Sequence, residues 1–155
     1  MTMNTEQLLQ LEEELVFNQF TNEDALQLGI ELINYAKENG KSVAVHVEKN
    51  HLPLFTHLMD GTSEENIKWL YRKKNVVDHY NHSTQFIAAR FEEMGTTHNE
   101  SSLLPVNDYQ AVGGSLPINI KGVGNIGSVT VAGLTPQMDH DYCVAGVKRF
   151  LGTGE

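Results

Sequence analysis

The spacing of apolar residues along the chain predicts five helices. In each of them apolar side chains recur at intervals of three and four residues, which places them on one side of a helix. The predicted helices cover residues 6–14, 22–36, 64–80, 83–94 and 136–151. Asn22 is the expected cap of the second helix and Gly40 its stop, Thr62 or Ser63 is expected to cap the third, and Thr135 the last.

Shorter apolar runs between these helices predict strands. Residues 42–48 and 52–58 form one hairpin and residues 115–120 and 126–132 another, while residues 15–20 turn into an edge strand. Polar residues 95–102 are expected to form a surface loop. The order of elements predicts an α/β (α+β) fold with helices packed against an antiparallel sheet.

Length and composition fit one domain covering residues 1–155, with both ends expected to be disordered. The chain has 155 residues, of which 40% are hydrophobic and 20% charged, and no linker-like run interrupts it. Because no apolar run approaches the roughly 18 residues of a membrane span and no signal peptide is evident, we expect a cytoplasmic protein.

The net charge disfavours nucleic acids and acidic membranes as partners. Lysine and arginine number 11 against 20 acidic residues, which leaves −9 at neutral pH. Arg72, Lys73 and Lys74 form the single basic cluster, and consecutive residues on a helix point in different directions. We therefore expect neither a nucleic-acid-binding nor a membrane-binding protein.

Glycines in the second half of the chain give two different signals. Gly122, Gly124 and Gly127 match the dinucleotide pattern GxGxxG, but strand sequence follows where that motif requires a helix, so we predict a tight hairpin. Gly113 and Gly114, directly before Ser115, either form an ordinary loop or expose backbone amides that receive an anion or a flat ligand.

Lys73 is the charged residue whose position is most unusual. Helical spacing places it on the apolar stripe of its helix, close to Trp69. A charge there needs a partner, which is either a carboxylate of the protein or an anionic ligand. Arg72 supplies a second donor on the wetter side of the helix.

The last helix carries a second group of candidates. Asp139 in the first turn interacts favourably with the helix dipole. His140 lies on the apolar side, where it either lines a pocket or makes a hydrogen bond. Cys143 lies on the apolar stripe and is expected to be an inert, buried thiol.

The other histidines give only weak metal signals. His79 and His82 are three residues apart and would share one face of a helix, without a further ligand at suitable spacing. His46 and His57 lie in adjacent predicted strands, where they pair across the sheet or occupy ordinary polar positions. We assign no metal site.

Several motifs together resemble one protein family. They are Gly113 to Ile118, Gly122 to Gly124, Gly127 to Leu134, Asp139-His140, the helical residues Trp69, Arg72, Lys73, Asn75 and Val76, and the helix from Asn22 to Ala36. These motifs, which cover nearly the whole chain, resemble the GlcG/HbpS-like haem-degrading-domain family, in a branch of small uncharacterised cytosolic proteins.

The resemblance implies a profilin-like sandwich, a homo-oligomer, and a pocket that some relatives use for haem or another small ligand. Relatives in this branch usually carry histidine immediately before the paired glycines, whereas this chain has Val112. The role of that histidine therefore cannot be transferred to this chain.

Three functions compete on this basis. The first is a protein that binds haem, another tetrapyrrole or an anionic metabolite, with the cofactor itself unassigned. The second is a haem-degrading or stress-related enzyme, and the third is an oligomeric interaction protein. The candidate ligand-binding residues are Arg72, Lys73, Gly113, Gly114, Ser115, Asp139 and His140.

Overall fold

The computed structural model describes residues 2–152, which form six helices and five strands. The helices are α1 (Thr5–Glu14), α2 (Asn22–Glu38), α3 (Glu64–Tyr80), α4 (Thr84–Glu93), α5 (His98–Ser101) and α6 (Pro136–Leu151). The strands are β1 (Val16–Phe17), β2 (Ala44–Lys49), β3 (Leu52–Leu58), β4 (Ser115–Ile120) and β5 (Gly124–Ala132). These bounds confirm the five predicted helices and both predicted hairpins to within a few residues.

The five strands form one sheet in the order β1-β4-β5-β2-β3. Neighbours among β2 to β5 are antiparallel, as predicted. The edge strand β1 instead runs parallel to β4, with Val16 opposite Asn119, so the sheet is mixed. β1 reaches this edge from a distant part of the chain, and so no hairpin fixes its direction.

Helices cover both faces of the sheet. The main core lies between one face and the helices α2 and α6, and includes Leu32, Val45 and Val147. On the other face α3 packs through Leu70 against Ala44. Since successive residues of a strand point to opposite faces, Val45 and Ala44 serve these two layers in turn.

Two details of the helices differ from the sequence prediction. Thr21, rather than Asn22, caps α2, because its hydroxyl accepts from the Asp24 amide at 3.0 Å and the Asp24 carboxylate accepts from the Thr21 amide at 2.8 Å. The predicted surface loop at 95–102 contains α5, which Thr97 caps, and its His98 is buried.

Among residues 2–152, no helix is long and apolar enough to cross a membrane.

Candidate functional site

A buried ion pair joins α3 to α6. The Lys73 ammonium lies 2.8 Å from Asp139 Oδ2 and donates to the Val131 carbonyl oxygen at 3.0 Å. The side chains of Lys73 and Asp139 are only 4% and 2% exposed. Of the two partners left open for Lys73 by the sequence, the structure therefore contains the carboxylate.

Asp139 is held by more than the ion pair. Its Oδ1 accepts from the Leu134 amide at 3.0 Å. Burial raises the pKa of Asp139, although Lys73 and this backbone hydrogen bond favour the charged form. The pKa of Asp139 nevertheless stays above its ordinary value, so loss of Lys73 would favour the neutral form further.

The ion pair forms part of the wall of a cavity of about 370 Å³, which we call the Lys73 cleft. Its lining residues come from α3, the segment before β4, the end of β5 and the start of α6: Ser63, Glu65, Asn66, Trp69, Lys73, Val112, Ala132, Gly133, Leu134, Pro136 and Asp139. Ligand-binding pockets hold roughly 300–1,000 Å³, so this cleft suits a small molecule.

Lys73 has one hydrogen-bond donor left to offer. An ammonium group carries three N–H bonds, and Asp139 and the Val131 carbonyl account for two of them within residues 2–152. Lys73 also lines the cleft, so this unmatched donor belongs to a group at the cleft wall.

Arg72 lies beside this cleft without lining it. Its guanidinium stands 4.9 Å from the centre of the Trp69 ring, and its Nε donates to the Asn107 carbonyl oxygen at 3.0 Å. Arg72 therefore packs against the Trp69 ring and is half-buried, whereas Lys73 is buried, in agreement with the predicted place of Arg72 on the wetter side of α3.

Gly113 and Gly114 are buried, and the Gly114 amide is already hydrogen-bonded within the protein, which disfavours the interpretation that the glycine pair presents free amides to a ligand. The amides of Gly114 and Ser115 donate to Thr84 Oγ1 at 3.3 and 3.1 Å. The Ser115 side chain is buried and bonded to Thr130 Oγ1 at 2.8 Å. A Cβ atom at position 113 would overlap the Pro136 carbonyl oxygen. The glycines therefore allow close packing of this segment against α6.

His140 and Cys143 are buried in α6 and do not line the cleft. His140 is 3% exposed, and its Nδ1 lacks a hydrogen-bond partner among residues 2–152, so the predicted hydrogen bond is not observed at this atom. Burial lowers the pKa of His140, which is therefore neutral. Burial raises the pKa of Cys143, which agrees with the expected inert thiol.

Of the alternatives left open for the other histidines, neither pairing is present among residues 2–152. Helix α3 ends before His82, which contacts Glu12 Oε1 at 2.9 Å, whereas His79 packs against Tyr80 with ring centres 4.6 Å apart. In the sheet, His46 lies opposite Thr56, so His46 and His57 point to opposite faces.

A buried polar network between β2 and α3 was not predicted from the sequence. Glu48 accepts from Lys74 and contacts His46 Nε2, both at 2.8 Å, and Lys74 also donates to Asp78 at 2.8 Å. His51 completes a group with Glu48 and Asp78 whose ligand atoms lie close enough for a metal ion. The Lys74 ammonium already compensates both carboxylates there, so this cluster is a structural network.

A second cavity, of about 330 Å³, which we call the His98 cavity, was also not predicted from the sequence. His98 is 5% exposed, and neither ring nitrogen has a hydrogen-bond partner within residues 2–152. Burial lowers the pKa of His98, so the ring is neutral. Val112 lines both this cavity and the Lys73 cleft.

Comparison with known proteins gives related chains of similar length. A UPF0303 protein of Streptomyces coelicolor is 39% identical over 146 residues, which cover 94% of this chain and 92% of the relative. A UPF0303 protein of Paraburkholderia phymatum is 38% identical over 141 residues, covering 91% and 86%.

Solved structures share the fold. The crystal structure of Ybr137w superimposes with a TM-score of 0.88 at 26% identity, over 99% of this chain and 90% of that one. HbpS gives 0.68 at 22% identity, covering 86% and 91%, and a PduOC:haem complex gives 0.70 at 17% identity, covering 83% and 92%. The family model for haem-degrading protein HbpS-like matches residues 20–148, and the chain therefore belongs to the HbpS-like family.

Proposed function

We propose that this protein binds a small molecule in the Lys73 cleft, and that the ligand is flat, largely apolar and equipped with one carboxylate or carbonyl acceptor. The observation that carries the proposal is the buried Lys73 ammonium, which lines the cleft with one N–H donor unmatched among the described residues. A charge-assisted hydrogen bond to that donor would orient the ligand.

The other walls of the cleft define the rest of the ligand. Trp69 offers an aromatic face, and Val112, Leu134 and Pro136 offer apolar surface. Glu65 also lines the cleft, and the chain carries a net charge of −9, so a ligand with several negative charges would be repelled. A single acceptor group suits this electrostatic environment best.

Haem fits these residues poorly. Iron in haem proteins takes an axial imidazole, thiolate, thioether or phenolate, and the cleft's lining residues include no histidine, cysteine, methionine or tyrosine. The two propionates of haem also exceed the single free donor of Lys73. We therefore expect haemin to produce no saturable shift of its Soret band, and a saturable shift weakened by Lys73→Ala would return haem to consideration.

Titration with naphthalene-2-carboxylate tests the proposal. Trp69 is the only tryptophan of the chain, so its fluorescence reports on the cleft directly. We expect saturable quenching that becomes at least 10-fold weaker in the double variant Lys73→Met/Asp139→Asn. This variant removes both charges together and leaves an acceptor for the Leu134 amide.

Lys68→Met is the matched control, because Lys68 is an exposed lysine of the same helix that does not line the cleft. It should bind the probe as the parent chain does. Equal affinity in all three proteins, or no saturable quenching in the parent chain, would overturn the proposal.

We also propose that the protein assembles into a homo-oligomer. The support is the edge strand β3, whose outer side has no neighbouring strand in the described sheet, together with the exposed side chains of Leu26, Ile30 and Leu52. Native mass spectrometry of freshly purified protein should give a mass of two or more chains and show any retained ligand. A strict monomer would contradict this proposal.

A further inference from the structure

We propose that Val112 sets the maximum length of the ligand, because its side chain closes the Lys73 cleft toward the His98 cavity. This inference rests on the proposed function of the cleft. Val112 is the one residue that lines both cavities among those the structure describes. A ligand held by Lys73 and lying along Trp69 therefore stops where the Val112 side chain begins.

The backbone around Val112 is fixed, so its side chain cannot simply swing away with the chain. The Val112 amide donates to the Gln110 carbonyl oxygen at 2.9 Å, and the Gln110 amide donates to the Arg72 carbonyl oxygen of α3 at 3.2 Å, which ties this side of the segment to the helix. On the other side, Gly113 packs directly against the Pro136 carbonyl and the Gln85 side chain, which leaves no room even for a Cβ atom. Position 112 is therefore anchored from both directions.

A bridge between α4 and α6 strengthens this anchoring. Gln85 Nε2 donates to Gln137 Oε1 at 2.8 Å. Gln85 lines the His98 cavity, and Pro136, the neighbour of Gln137, lines the Lys73 cleft. The bridge holds the two cavities side by side, with the half-buried Val112 between them.

The His98 cavity provides room for a longer apolar ligand. Leu8, Ala88 and Ala89 line it together with polar side chains, among which Glu92 is the one acidic residue. Shortening Val112 to alanine removes two methyl groups from the shared wall and extends the apolar path beyond the cleft. The segment that carries residue 112 thus determines ligand size, whereas Lys73 determines which functional group is bound.

Two probes with the same carboxylate and different lengths test this inference. The parent chain should bind naphthalene-2-carboxylate more tightly than the three-ring anthracene-2-carboxylate. In Val112→Ala we expect affinity for the anthracene probe to rise at least 10-fold, while affinity for the naphthalene probe changes less than 3-fold. Val112→Phe should weaken both probes. Val106→Ala, a change at an exposed valine outside both cavities, is the control.

The outcomes separate this inference from the proposed function. If the Lys73→Met/Asp139→Asn variant loses the naphthalene probe but Val112→Ala leaves the preference between the probes unchanged, the length limit is wrong and the cleft remains. If neither probe depends on Lys73, the proposed function itself fails. Thermal unfolding of each variant shows that a change in binding is not a loss of fold.

Discussion

Lys73 and Asp139 carry opposite buried charges, so each residue depends on the other. A buried ion pair is a weak source of stability, but breaking it by removing one partner is costly because the other charge stays buried. In this chain Asp139 also accepts from the Leu134 amide, so its side chain cannot easily turn toward solvent.

We therefore predict that Lys73→Met lowers the free energy of unfolding at pH 7 by about 3–5 kcal/mol. Urea denaturation measures this loss. The pKa of Asp139 is already raised by burial, and losing Lys73 raises it further, so the deficit should shrink as the pH falls toward 4 and Asp139 becomes neutral. The double variant Lys73→Met/Asp139→Asn should lose less free energy of unfolding than Lys73→Met. Equal losses in the two variants at pH 7 would contradict this account.

Periodicity located Lys73 and Cys143 correctly, because both lie on apolar stripes of long helices. It could not locate the walls of the cleft, since Val112 and Leu134 precede or follow regular elements and reach the site only through the tertiary fold. His98 was missed for a similar reason: a polar sequence predicts a loop, whereas Tyr80 and Phe91 enclose its ring, with centres 5.6 and 5.3 Å away.

At the scale of the elements, the segment before β4 lies close to α6 because it contains glycine at position 113. We predict that Gly113→Ala lowers the free energy of unfolding by about 3 kcal/mol, because the new methyl group overlaps backbone and forces the segment away from α6. Gly122→Ala, at a hairpin glycine with φ of 77° and open space around it, should cost only about 1 kcal/mol.

Chemical denaturation of both variants compares these costs. If Gly113→Ala lowers the free energy of unfolding no more than Gly122→Ala does, the segment before β4 moves freely and Val112 is not anchored.

The polar network between β2 and α3 predicts a pH dependence. Burial alone would raise the pKa of Glu48, but hydrogen bonds with His46 and Lys74 outweigh it and hold the pKa below its ordinary value of 4.5. The pKa of Lys74 is raised by Asp78 and Glu48 despite the opposing effect of burial. Glu48 therefore contributes stability above pH 4.5, which is lost as the pH falls through its lowered pKa.

We accordingly expect Glu48→Gln to destabilise the protein by about 3–5 kcal/mol at neutral pH. The difference from the parent chain should narrow as the pH falls from about 4.5, where Glu48 of the unfolded chain takes up its proton, through the lowered pKa of Glu48 in the folded chain. Glu13→Gln, at an exposed glutamate, should follow the parent curve throughout. Parallel curves for the parent chain and Glu48→Gln down to pH 2.5 would contradict the assigned role of the network.

Element types were predictable because long amphipathic helices and paired hairpins carry local signals. The direction of β1 and the existence of α5 were not, because a two-residue strand and a four-residue helix are too short for any periodicity. Both owe their conformation to neighbours: β1 to β4, and α5 to the aromatic side chains around His98.

At the scale of the whole molecule, membership of the HbpS-like family fixes the fold and leaves the site to be argued from its residues. The cleft has a buried cation, one tryptophan and no imidazole, in a chain of strongly negative charge. These features favour a ligand with one acceptor group over iron-bound haem, whereas membership of the family does not distinguish between the two.

The indole N–H signal of Trp69 gives the most direct test of the cleft as the binding site. The chain has one tryptophan, so a ¹H–¹⁵N correlation spectrum contains one indole cross-peak, which can be followed during titration with naphthalene-2-carboxylate. The proposed function predicts a saturable displacement of this cross-peak, which needs at least 10-fold more probe in Lys73→Met/Asp139→Asn and is retained unchanged in Lys68→Met. A cross-peak that stays in place in the parent chain while the probe binds would contradict it.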